Sequence, residues 1–209
     1  VDLLGCGFSD APDDFDYSLE QHTGTVAMLL DHLDVAGCDV AGYSMGGAVA
    51  ITLAATRPDL VSRLALLEAN LDPLGPGEGA ISTGIACQTE EAFCAEGFDD
   101  LVDFCRRGGL QGDGTAATFA GVIQVATPHA LHRSAVDLVQ ATRPTMRERL
   151  LEMDMPRAYI FGEKSLPDPD YDALALEGIQ VLTVSEAGHG MVFDNPAGVA
   201  EALVIAFGM

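Results

Sequence analysis

A parallel α/β sheet covered by helices on both faces, with a helical insertion between two of its strands, is the fold class that this 209-residue chain predicts. Three observations carry that expectation. Apolar runs at residues 39–43, 63–67, 158–161 and 179–184 are continuous rather than alternating, as in strands buried on both sides. Helix-period segments separate these runs, and parallel neighbours need such crossovers. Between residues 71 and 155 the strand signal stops and amphipathic helices follow, which reads as a cap or lid. The expected domains are therefore a core of residues 1–70 and 156–209 and a helical cap of residues 71–155.

Taken in order, Val1-Asp2-Leu3-Leu4 reads as the tail of a strand and Gly5-Cys6-Gly7-Phe8-Ser9-Asp10 as the loop beyond it. A dinucleotide-binding loop is rejected there, because the third glycine and a preceding βα unit are missing. After an acidic loop at 11–17, Ser18 is placed to cap a helix with Gln21 as its capping-box partner. Val26, Leu29, Leu30 and Leu33 keep helical spacing behind it. The strand at 39–43 runs into a helix at 45–56 that Arg57-Pro58 stops. Residues 61–67 give the next strand, ending on Glu68. Leu71 to Gly79 is turn-rich. Helices are expected at 90–107, at 128–141 (Thr127 as cap, Pro128 at the first position) and at 145–153. The strand at 158–161 ends at Gly162, the last strand is 179–184, and Asn195-Pro196 opens a terminal helix at 197–207.

Composition bounds the chemistry. Hydrophobic residues make up 48% and charged residues 20%, and no apolar run approaches the roughly 20 residues of a membrane span. The formal net charge is −22, which argues against nucleic acid and anionic membranes as partners. Lys164 is the sole lysine among ten cations. The five cysteines are odd in number and lack Cys-x-x-Cys spacing, so free thiols in a reducing cytoplasm are expected; Cys94 and Cys105 are the pair that could bridge. No signal sequence is read at the start.

Gly42-Tyr43-Ser44-Met45-Gly46 is the chemically informative stretch. Lying between a strand and a helix, it places Ser44 on a sharp turn whose flanking glycines avoid collisions. The helix N-terminus then aims at any oxyanion formed there. A serine hydroxyl needs a base, and His189 follows the last strand in Ala187-Gly188-His189-Gly190. A carboxylate must orient that histidine. Glu68, at a strand end, and Asp168, in the loop after the next strand, are the two candidates, with Glu68 placed first. His129 and His132 share a helix face but lack a third ligand, so no metal is expected and both read as solvated. His22 and His32 read as helix-surface residues.

The order Ser, acid, His resembles the α/β-hydrolase superfamily. So do the elbow, Asp2-Leu3-Leu4-Gly5-Cys6-Gly7-Phe8-Ser9, and Ala187-Gly188-His189 followed by Asn195-Pro196. The resemblance implies a serine hydrolase with a helical cap and no cofactor, cleaving a small or medium carboxylic ester through an acyl-enzyme. Ser44 would be nucleophile, His189 base, and Glu68 or Asp168 the acid. The Met45 N–H would be an oxyanion donor, and Tyr43 would line the acyl pocket. Most of the family carries its acid three residues past the glycine matching Gly162, where this chain has Ser165. Some members, the haloalkane dehalogenase branch among them, place an acid where Glu68 lies. The family's second oxyanion donor comes from a His-Gly loop after an earlier strand that this chain does not show, and the N-terminal strands of the sheet are read as missing. A non-catalytic small-molecule binder on the same scaffold is the alternative reading.

Overall fold

Four parallel strands, β1 (Cys38–Tyr43), β2 (Val61–Leu67), β3 (Arg157–Gly162) and β4 (Gln180–Val184), pair in sequential order in the computed structural model. The structure describes residues 1–73, 80–140 and 142–209. The turn-rich stretch expected at 74–79 and the end of the helix expected at Ala141 lie outside the described residues. Internal contacts divide the chain into two compact units: residues 1–22 with 73–141, and residues 23–72 with 142–209.

The second unit holds the sheet. Helix α2 (Met45–Thr56) packs on β1, β2 and α8 (Met146–Leu151), and Gly47 to Ala54 are all buried. That burial on every side explains why the helix is apolar all round rather than amphipathic. Helix α11 (Pro196–Ala206) packs against β3 and β4, with Val199, Ala202 and Phe207 meeting Ala65, Leu67, Ile160 and Val184 in one core cluster. This unit also holds residues 23–32, the larger part of α1 (Leu19–His32), with α9 (Pro169–Leu176), which packs on β4, and the short α10 (Met191–Asp194). Asp39 and Arg63, paired in register on β1 and β2, form a bidentate ion pair with both contacts at 2.7 Å. Residues 142–155 belong to this unit rather than to the helical one. The Arg147 N–H donates to the Leu71 carbonyl, and its guanidinium joins Asp72 to Asp170.

The first unit is helical: α3 (Ala80–Ala86), α4 (Glu90–Ala92), a π-helical turn (Phe93–Gly97), α5 (Phe98–Leu110), α6 (Gly114–Ile123) and α7 (Pro128–Val139). Ile85, Phe93 and Ala135 form one core cluster in it, and Gly109 packs so closely on α6 that an added Cβ would lie 2.6 Å from the Ala117 Cβ. Residues 1–22, expected to belong to the sheet core, associate with these helices. Val1 to Leu4 is not a strand. The Asp2 carboxylate accepts the Phe8 N–H, the Ser9 hydroxyl donates to the Asp2 carbonyl, and Cys6 makes an isolated antiparallel bridge to Ala126. Helix α1 (Leu19–His32) starts behind Ser18, whose Oγ accepts the Gln21 N–H. Three histidines depart from expectation, one of them His129, whose side chain is only 19% exposed. His22 is 1% exposed and bonds Ser134 Oγ at 3.1 Å, and His132 is 6% exposed with Nε2 2.9 Å from the Gln88 carbonyl. All five cysteines are free.

The turn from β1 into α2 positions everything that follows. A Cβ on Gly42 would meet the Gly46 carbonyl oxygen at 2.5 Å and Gly47 Cα at 2.7 Å, so strand and helix touch there backbone to backbone. The second glycine of the pattern is not needed in the expected way, since a Cβ on Gly46 meets nothing within 4 Å. Gly47 carries that demand instead: its Cβ would sit 2.3 Å from Ala69 Cβ, against the segment leaving β2. Gly47→Ala is therefore expected to destabilise the fold by about 1–3 kcal/mol through overpacking. Gly46→Ala should be neutral or stabilising by up to about 1 kcal/mol through helix propensity. Urea unfolding of the two variants checks the contrast.

Candidate active site

Ser44 stands at φ 51°, ψ −123°, a left-handed conformation that a non-glycine residue adopts only under constraint. It occupies the N-cap of α2, yet its side chain makes no capping bond. A serine there ordinarily turns its oxygen onto the first turn of the helix. Here the strained backbone directs the hydroxyl away, and Oγ lies 3.2 Å from His189 Nε2. The Ser44 N–H donates to the Leu67 carbonyl at 3.0 Å, tying the elbow to the end of β2.

One residue beyond that carbonyl is Glu68, also left-handed, at φ 41°. Its backbone N–H donates to Ile160 of β3, and its carboxylate turns toward the sheet's carboxyl edge. Oε1 accepts the Gly162 N–H at 2.8 Å, and Oε2 is 2.9 Å from His189 Nδ1. Ser165 lies beside the same carboxylate and favours its charged form. Burial pushes the Glu68 pKa up, but His189, Ser165 and the Gly162 N–H together outweigh it and hold the group below its ordinary value. An ionised carboxylate only accepts, so His189 Nδ1 carries the proton. In the neutral ring Nε2 is then the acceptor for the Ser44 hydroxyl.

Asp168 is placed elsewhere. It caps α9, its Oδ1 accepting the Asp170 N–H at 2.8 Å. The Met45 N–H opens α2 directly behind Ser44. Tyr43, expected to wall an acyl pocket, directs its hydroxyl at the His189 carbonyl, 2.8 Å away. Sequence reasoning missed Ser165 as a partner of Glu68. Its place three residues past Gly162 was the available signal, since that is where the family pattern expects an acid. Among the described residues no cluster of three His, Cys, Asp or Glu side chains could hold a metal ion, and no helix is long and apolar enough to cross a membrane.

With the elbow, the strand-end carboxylate and the last-loop histidine joined in one hydrogen-bonded row on a parallel sheet, the chain belongs to the alpha/beta hydrolase fold family, whose sequence profile matches residues 1–196. It is 47% identical, over 82% of this chain and 45% of the relative, to the dihydrolipoyllysine-residue acetyltransferase component of an acetoin cleaving system of Pseudomonas putida. Over 32% of this chain and 23% of the relative it is 36% identical to a 2-hydroxymuconate semialdehyde hydrolase of Pseudomonas sp. (strain CF600). The chain thus spans less than half the length of these curated relatives. Among solved structures it resembles a thermophilic esterase from Thermogutta terrifontis, with a TM-score of 0.76 and 20% identity, over 99% of this chain and 77% of the other. It also resembles the enol-lactonase from Burkholderia xenovorans LB400, with a TM-score of 0.74 and 22% identity, over 100% and 79%. At such identities the likeness to these two is one of fold.

The depressed Glu68 pKa has a sign that can be tested. A carboxyl held below its unfolded value contributes stability at pH above that value and loses it as pH falls through the folded one. The stability gap between wild type and Glu68→Gln should be level near neutral pH and should narrow once pH drops below the ordinary glutamate value of 4.5. Urea titrations at a series of pH values measure it; a gap that widens in acid contradicts the assignment.

Proposed function

We propose that this protein is a serine hydrolase that cleaves a small or medium carboxylic ester through an acyl-enzyme. The single observation that carries the reading is the unbroken row Ser44 Oγ, His189 Nε2, His189 Nδ1, Glu68 Oε2, with contacts of 3.2 Å and 2.9 Å. Ser44 Oγ attacks the ester carbonyl carbon while its proton passes to His189 Nε2. The oxyanion forms beside the Met45 N–H and the positive end of α2. His189 then returns the proton to the departing alkoxide, leaving acyl-Ser44. A water, deprotonated by the same nitrogen, releases the acid and restores the hydroxyl. Glu68 holds the tautomer and steadies the imidazolium; Asp168 takes no part.

A second reading shares every step up to the acyl-enzyme and differs in the acceptor. The relative that is 47% identical over 82% of this chain is named as an acetyltransferase acting with a dihydrolipoyllysine residue. On that reading a thiol in place of water attacks acyl-Ser44, giving a thioester and regenerating the serine.

A fluorophosphonate probe tests the nucleophile. Labelling of the wild type should vanish in Ser44→Ala. Well-folded wild type that takes no label would instead favour a non-catalytic binder. With p-nitrophenyl acetate as substrate, Glu68→Gln is expected to lower kcat by about 10²–10⁴. Asp168→Asn, which keeps a good cap, should stay near wild type. Adding dihydrolipoamide separates the acceptors: an acetyl thioester formed in preference to acetate selects acyl transfer, and acetate alone selects hydrolysis.

A further inference from the structure

We propose that Tyr43 is a positioning residue that sets the distance between His189 and Ser44, a role that rests on the serine-hydrolase reading. His189 sits on the loop between β4 and α10, and its side chain is 57% exposed, so packing around the imidazole does little to fix it. The loop is fastened mainly from its own side of the sheet. The Glu186 N–H donates to Glu163 at 2.7 Å, and the Lys164 N–H donates to the Ala187 carbonyl at 2.8 Å. The Gly188 N–H donates to Asp194 at 3.0 Å. Ser44 hangs from β1, which the strand order places three spacings, about 14 Å, from β4. A base and a nucleophile carried on opposite edges need a tie between them.

Tyr43 is the residue covalently before Ser44, and it supplies that tie. Its hydroxyl donates to the His189 carbonyl at 2.8 Å, while its ring lies 5.4 Å from the imidazole at an interplanar angle of 37°. Tyr43 also packs against the core cluster that includes Leu67, Ala187 and Met191, so the tether is stiff. Burial first, then the charges of Glu68 and Asp194, push the Tyr43 pKa up to about 12, so the hydroxyl remains a donor throughout the working range. Backbone and ring of the base are thereby both registered to the peptide that precedes the nucleophile. A substrate-lining tyrosine would offer its hydroxyl to the ligand; this one is already engaged with the loop.

Tyr43→Phe keeps the ring and deletes the tether. With p-nitrophenyl acetate, kcat is expected to fall about three- to tenfold, the size of one lost positioning hydrogen bond, with KM unchanged. Tyr43→Leu, which also removes the ring, should fall further. A second readout needs no turnover: the proton on His189 Nδ1, bonded to Glu68, is followed in the low-field proton spectrum and identified by its loss in Glu68→Gln. In Tyr43→Phe that resonance should broaden or move as the ring gains freedom. A raised KM with kcat preserved would make Tyr43 a pocket wall and overturn the proposal, as would an unchanged resonance. If the wild type takes no fluorophosphonate, the hydrolase reading fails on its own, and the resonance still decides whether Tyr43 holds His189.

Discussion

The structure depends on one close crossing, where the end of β1 meets the start of α2 with no side chain between them. Gly42 brings backbone within van der Waals range of Gly46 and Gly47, and Gly47 in turn lets the chain leaving β2 pass at Ala69. That approach forces Ser44 into its left-handed conformation and keeps its hydroxyl off the helix it would otherwise cap. Conformational strain of this kind costs on the order of 1–3 kcal/mol, and it persists because α2 is buried on all sides and cannot relax. The site's geometry is thus a product of core packing.

A second short segment links the other participants. The turn from Gly162 to Ser165 reaches the carboxylate of Glu68 through the Gly162 N–H, with Ser165 beside it. It reaches the histidine loop through Glu163, Lys164 and the near contact of Gly162 with the Gly188 carbonyl. Glu68 and the His189 loop are held by the same four residues.

Much of this was legible in the sequence, for identifiable reasons. Strands β1 to β4 were marked by continuous apolar runs with Gly, Pro or charged punctuation, and the structure places them within a residue or two of the expected limits. Ser44 and His189 were legible because each sits at a strand's carboxyl end with a short motif around it. What escaped was what depends on partners. Val1 to Leu4 has an apolar pattern but finds hydrogen bonds with its own following loop. His22 and His132 look like surface positions on helices, and tertiary packing buries both. The steric demand read onto Gly46 belongs to Gly47, because the colliding atom comes from Ala69, remote in sequence. Tyr43's bond to the His189 carbonyl spans 146 residues of sequence and leaves no local trace.

Tyr43 and Leu67 are direct partners on the β1–β2 ladder, so Ser44 and Glu68 each stand one residue past the same rung. Two of the three residues proposed to react therefore share a rigid frame and move together, whatever happens on the far side of the sheet. On the proposed reading, the stretch after Ser165, through α9 to Gly178, is relieved of supplying a carboxylate. Changes confined to that stretch leave the Ser44–Glu68 spacing, set on β1 and β2, in place.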